Sequence, residues 1–261
     1  MLRTVFWGWY AIGALLLIFF SVPKGLQFSN GLFLVLYAVY AGERIFKGYE
    51  RHFVAVPSAV YSPRLRPVRL LVSAALIWTG GMAVEWVGVH TGHLFGSYGY
   101  SEILGPLLYG VPVTLGFAWI AVVCNAVLLC RDFGLSGWRL RLLRAVQVGS
   151  WAVLLDLVLD PVAHARGFWT WRDGGGFYGV PVSNFGGWLI AGSLLSLFLP
   201  AVRITGRAAR HGTRLYQAVI LMFGLIGLRE GLPLCMVIAV IGTILAEGGL
   251  RYARGSQIPK L

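Results

Sequence analysis

Four carboxylates stand in or at the ends of hydrophobic stretches of this chain: Glu85, Asp156, Asp160 and Glu247. An ionisable side chain in hydrocarbon costs about 2.5 to 3.5 kcal/mol on insertion scales, so such residues face a polar interior and mark candidate sites of proton transfer. Glu85 and Asp156 are set apart by the residues on their C-terminal side. Each stands thirteen residues ahead of an aromatic-x-aromatic pair, Tyr98 with Tyr100 and Trp169 with Trp171, and each pair leads to the string Tyr-Gly-Val-Pro-Val, at 109–113 and 178–182. His93 with His164, Gly96 with Gly167 and Trp119 with Trp188 complete two copies of one unit. The offset is 71 residues from the acid through the second aromatic and 69 from the Tyr-Gly string onward. A carboxyl, a histidine and aromatic rings gathered at the end of a hydrophobic span are the materials of general acid and base chemistry, and a bland packing helix would carry none of them.

Asp156 and Asp160 are four residues apart, on one face of a helix, and Pro161 is expected to mark that helix's exit. Glu247 has no repeat partner and reads as a structural acid. His90, His93 and His164 lie just beyond the acids, but one His-x-x-His is too few ligands for a two-metal membrane site, so no metal is assigned and the histidines are read as orienting the acids or the loop backbone. Trp86, Tyr98, Tyr100, Trp169, Trp171, Tyr178 and Trp188 could form an interfacial belt, yet their concentration beside the acids suggests ring faces that meet positive charge. Asp156-x-x-x-Asp160 has no second acidic motif, as a magnesium-diphosphate site would need. Gly174-Gly175-Gly176 lacks the strand and the Lys-Ser/Thr of a phosphate loop.

The elements that must position these groups are membrane helices. Of 261 residues, 57% are hydrophobic and 12% charged, and the mean hydropathy is +0.74. This is the balance of an all-α, polytopic helical bundle in a single domain over 1–261. Eight candidate spans fall near 4–21, 26–43, 70–89, 108–130, 143–162, 184–202, 214–229 and 232–249. The Lys and Arg residues divide 18 to 4 between the two sides, which places both termini in the cytoplasm of a multi-pass cell-membrane protein. The net charge of +12 then faces anionic lipid headgroups rather than nucleic acid. The first apolar run lacks a small-x-small cleavage site and reads as a retained span. Cys124, Cys130 and Cys235 fall within spans as small apolar residues. The longest basic connection, over 44–69, reads as topology control, whereas the aromatic loops near 90–107 and 163–183 could fold back as a cap. Both repeats run in the same sense, so spans 3–4 and 5–6 are expected to be parallel hairpins related by a pseudo-twofold axis along the membrane normal, with Glu85 facing Asp156 across it.

The string Glu85-Trp86-Val87-Gly88-Val89-His90-Thr91-Gly92, with Phe95-Gly96-x-Tyr98-x-Tyr100, Gly105-Pro106 and Gly110-Val111-Pro112, resembles the carotenoid biosynthesis family of CruF-type carotenoid 1,2-hydratases. Asp156-Leu157-x-x-Asp160-Pro161, Gly167-x-Trp169-x-Trp171, Tyr178-Gly179-Val180-Pro181 and Asn184-Phe185-x-Gly187-Trp188 look like that family's other block. The resemblance implies a cofactor-independent hydro-lyase that adds water to the terminal double bond of an acyclic carotenoid, leaving a tertiary alcohol. Protonating such an alkene needs a strong general acid, a pocket that tolerates the cation and one controlled water. Glu85 and Asp156 suit the acid and base roles, with Asp160 placing water. His90, His93, Tyr98, Tyr100, His164, Trp169, Trp171, Tyr178, Asn184 and Trp188 are the substrate-binding candidates. The alternative is a proton-coupled membrane carrier or binding protein for an isoprenoid or other small molecule, with the acids as its coupling pair.

Overall fold

Long runs of Leu, Val, Ile and Ala leave little polar surface for water over most of the chain, so the backbone satisfies its own hydrogen bonds in helices. The computed structural model describes residues 1–20, 22–55, 66–200, 204 and 206–255. Among these, eight α-helices succeed one another: α1 (Leu2–Phe19), α2 (Phe28–Ala55), α3 (Arg66–Thr91), α4 (Thr114–Leu129), α5 (Gly137–Ala165), α6 (Val182–Ser196), α7 (Gly206–Arg229) and α8 (Pro233–Gly255). The segments Leu2–Phe19, Pro67–Thr91, Gly137–Ala165 and Pro233–Tyr252 are long and apolar enough to cross a membrane. The helices α4 and α6 are apolar but run only 16 and 15 residues. Charged residues gather in the second half of α2 (Glu43, Arg44, Lys47) and the first half of α7 (Arg207, Arg210, Arg214).

Two boundaries differ from the sequence reading. The basic connection expected over 44–69 is helical at its start, because α2 continues to Ala55 and Lys47 pairs with Glu43 one turn earlier; residues 56–65 lie outside the described set. Pro161 does not end its helix. It sits inside α5, which continues to Ala165 and closes at Gly167, where φ is +69°. There the Gly167 N–H bonds His164 O at 3.0 Å and the Phe168 N–H bonds Ala163 O at 2.9 Å, a paired C-terminal cap that a left-handed glycine permits.

The helix α4 is buried over most of its surface and packs against α2, α3, α5, α6, α7 and α8, which makes it the centre of the bundle. The two aromatic loops meet through their strands. Strand β1 (Tyr98–Tyr100) pairs antiparallel with β4 (Trp169–Trp171), Tyr98 opposite Trp171, Gly99 opposite Thr170 and Tyr100 opposite Trp169. Strands β2 (Leu107–Leu108) and β3 (Val111–Pro112) form a hairpin with Tyr109 and Gly110 at its tip, and Phe177 bridges Val180 around Tyr178 and Gly179 in the same way. Both tips hold positive φ at both central positions, +50° and +81° in the first and +50° and +85° in the second, the geometry of a two-residue hairpin turn. The repeated Tyr-Gly string is thus a turn signal.

Candidate active site

Glu85 lies on α3 nearly two turns before its end and is buried. Its Oε2 accepts hydrogen bonds from the Tyr98 hydroxyl at 2.5 Å and the Tyr100 hydroxyl at 2.6 Å, and its Oε1 accepts one from the Trp119 indole N–H at 2.9 Å. The two phenols come from β1 and the indole from α4. Small residues on Glu85's own helix face admit them. A Cβ at Gly88, three residues on, would stand 2.7 Å from the Phe95 ring and 2.8 Å from the Tyr98 hydroxyl, and one at Gly81, four residues before, would stand 2.5 Å from the Trp119 ring. Burial, and then the Glu85 carboxyl, push the Tyr98 and Tyr100 phenols above the ordinary tyrosine range, which keeps them protonated as donors.

The two aspartates of α5 are buried one turn apart. Asn184, in the first turn of α6, bridges them: its Nδ2 donates to Asp156 Oδ2 at 2.8 Å and to Asp160 Oδ2 at 2.5 Å. The Oδ1 atoms of both aspartates are buried without a hydrogen-bond partner. The pair lies close enough for the carboxyls to interact with each other, and Glu85 acts electrostatically on both. Three acids from two helices therefore form one cluster, met by phenol, indole and amide donors. Such a cluster can hold a proton between two carboxyls while fixing a negative charge on the third.

Aromatic rings surround it. Tyr98 and Tyr100 meet edge to face at 5.4 Å, Tyr98 lies 6.0 Å from Trp171, and Tyr100 lies 5.6 Å from Trp169. Trp188 packs against Trp119 at a tilt, with ring centroids 4.6 Å apart. The Trp171 indole N–H is taken by Phe95 O at 2.9 Å. His164, half-buried beyond Asp160, packs 5.6 Å from Trp171, and its Nδ1 has no hydrogen-bond partner. The remaining sequence candidates stand elsewhere. His90 and His93 are exposed, with their Nδ1 atoms 2.9 Å from Trp86 O and 3.1 Å from Thr91 O. The Tyr178 hydroxyl accepts the Leu234 N–H at 3.3 Å and so caps the first turn of α8. Among the described residues no group of three His, Cys, Asp or Glu side chains is placed to hold a metal ion. Trp119 is the site residue that motif reading misses, although the repeat offers it as the counterpart of Trp188.

A family model described as "Carotenoid biosynthesis protein" matches residues 50–247. The chain belongs to this family. The matched region of this carotenoid biosynthesis family member contains all three acids, their donors and the aromatic shell, and it leaves out α1. A bisanhydrobacterioruberin hydratase from Haloarcula japonica is 42% identical over 118 residues, which cover 44% of this chain and 39% of the relative. The chain thus aligns with well under half of that relative's length. No solved structure matches this carotenoid biosynthesis protein.

Proposed function

We propose that this membrane protein adds water across the terminal carbon-carbon double bond of an acyclic carotenoid, giving a tertiary alcohol by acid-base catalysis. The observation that carries the reading is the Asn184-bridged Asp156–Asp160 pair beside a triply hydrogen-bonded Glu85. One aspartate delivers its proton to the less substituted alkene carbon, and the tertiary cation forms on the other. A water places its oxygen on that cation and returns a proton to the aspartate pair, so the pair ends as it began and the substrate has gained one water. No electron is transferred, and the steps need no redox cofactor. The unpartnered Oδ1 atoms of Asp156 and Asp160 offer acceptors for the water.

The sequence sets Glu85 against Asp156 as acid and base. The hydrogen bonds favour a different division, with the aspartate pair carrying the proton and Glu85 serving as fixed charge. Both Glu85 oxygens are already engaged, which stabilises its anion and blunts it as a nucleophile that would trap the cation as an ester. The faces of Tyr98, Trp171, Trp119 and Trp188 add neutral cation stabilisation. A relative named for hydrating bisanhydrobacterioruberin supports the reaction class.

Eight spans, both termini in the cytoplasm, and two hairpins, α3–α4 and α5–α6, related by a twofold axis belong to the same proposal. What supports the axis is that repeat-related residues meet their own counterparts. Gly99 pairs with Thr170, 71 positions on, at the centre of the β1–β4 ribbon, and Trp119 packs against Trp188. Expressing this chain alone in cells that hold an acyclic carotenoid tests the function. A pigment heavier by one water is expected, and an unaltered pigment in cells that accumulate the protein counts against it.

A further inference from the structure

Resting on that reading, we infer that the apolar cavity enclosed by α1, α2, α4, α5 and α7 seats the polyene arm of the substrate and presents its reactive end at Trp169 and Trp188. The cavity shares its inner wall with the carboxyl cluster. Leu155 and Leu159 line it, each one residue before an aspartate of the pair, so α5 turns a hydrocarbon face to the cavity and an acidic face to the cluster. Trp169 and Trp188 complete that wall. Trp169 packs against Tyr100 at 5.6 Å and Trp188 against Trp119 at 4.6 Å, and both of those partners donate to Glu85.

Three of the polar side chains along the cavity are engaged elsewhere. The Tyr10 hydroxyl donates to Ala218 O at 2.8 Å, the Tyr37 hydroxyl to Asn125 Oδ1 at 2.7 Å, and Arg166 to Glu230 at 2.7 Å and to Leu17 O at 2.9 Å. These walls offer hydrocarbon contact to a chain without hydrogen-bonding groups, which is the chemistry of an unhydrated isoprenoid arm. The outer wall is α1, of which 6% is buried, against 28% to 44% in the other span-length helices. A hydrocarbon dissolved in the bilayer therefore meets α1 first. Gly13 lines the cavity from α1, and a Cβ there has no neighbour within 4 Å, so a larger side chain grows into the space rather than into the helix packing.

Gly13→Trp fills the cavity and leaves the carboxyl cluster untouched. Gly8→Trp, on the same helix, exposed and away from the cavity, is the control. The full-length protein in lipid nanodiscs is titrated with an acyclic polyene hydrocarbon, and visible circular dichroism reports its capture, because an achiral polyene gains such a signal only in a chiral seat. Wild type and Gly8→Trp are expected to induce the signal. Gly13→Trp should lose it and hydrate about a hundredfold more slowly, the scale of a misplaced reacting end. If Gly13→Trp fails to accumulate, Ala118→Leu fills the cavity from α4 and makes the same comparison. Retention of signal and rate by a folded cavity-filling variant overturns the seat, as does a silent wild type. A signal that Gly13→Trp abolishes, in a wild type that forms no hydrated product, keeps the seat and overturns the hydratase reading instead.

Discussion

Asn184 is the side chain on which the proposed proton pair depends most simply, since one Nδ2 serves both aspartates at 2.8 and 2.5 Å. Asn184→Leu keeps the volume and removes both donors. A hydrogen bond to a neutral partner contributes about 0.5–1.5 kcal/mol and one to a charged partner about 1.5–3. When the pair gives its proton to the alkene, one bond passes from the first class to the second, a gain of about 1–1.5 kcal/mol confined to the transition state. Its loss slows hydration about five- to tenfold per folded molecule, at about 1.4 kcal/mol per decade. The ground-state part of both bonds, about 2–4 kcal/mol, appears as lower thermal stability in detergent. Asn184→Asp should be far worse, because it sets a third carboxyl against two that lack a donor. The assay is pigment conversion normalised to folded protein, with a thermal midpoint measured alongside. An Asn184→Leu protein of unchanged rate and unchanged midpoint would refute this view of the pair.

Gly88→Ala and Gly81→Ala should each lower hydration although Glu85 remains, because a Cβ at either position drives away a donor to Glu85; Gly42→Ala, with nothing within 4 Å of its Cβ, should not. Glu85→Gln turns an N–H2 toward either the Trp119 indole or the two phenols, so it should accumulate less well than Asp156→Asn on a quantitative membrane blot. His90→Ala and His93→Ala should change hydration by less than about twofold, as expected of exposed substitutions away from special contacts. Reporters fused at the two termini should both be active on the cytoplasmic side, and activity of either only outside the membrane would reverse the orientation.

Much of the candidate site's arrangement was legible because its signals are spaced along the chain. The 71-residue offset aligns Glu85 with Asp156 and Tyr98–Tyr100 with Trp169–Trp171, and the latter two segments are the strands that pair. The separation of four residues puts Asp156 and Asp160 on one face. Facing between different elements was not legible. His90 lies five residues past Glu85, which turns it well away from the acid on a helix of 3.6 residues per turn, so nearness in sequence misleads. Asn184 reads as part of a motif, and only the packing of α6 on α5 brings it between the aspartates. Hydropathy also misplaces the end of α2, because Glu43, Arg44 and Lys47 look like a loop until their pairing along the helix is seen. Pro161 reads as a stop, yet its missing N–H is tolerated inside α5, where the chain goes on to a cap at Gly167.

Whether the aspartate pair carries the proton that reaches the alkene is tested most directly by pigment mass after equal expression of wild type, Asp156→Asn and Asp160→Asn with one acyclic carotenoid. Each amide keeps the size of the acid and removes its proton, so a general acid or base should lose about a hundredfold to ten-thousandfold in rate. Wild type is expected to give a product one water heavier and both variants unaltered carotenoid, with all three proteins at similar levels in the membrane. Full hydration by both amide variants would contradict the proton-carrying role of the pair.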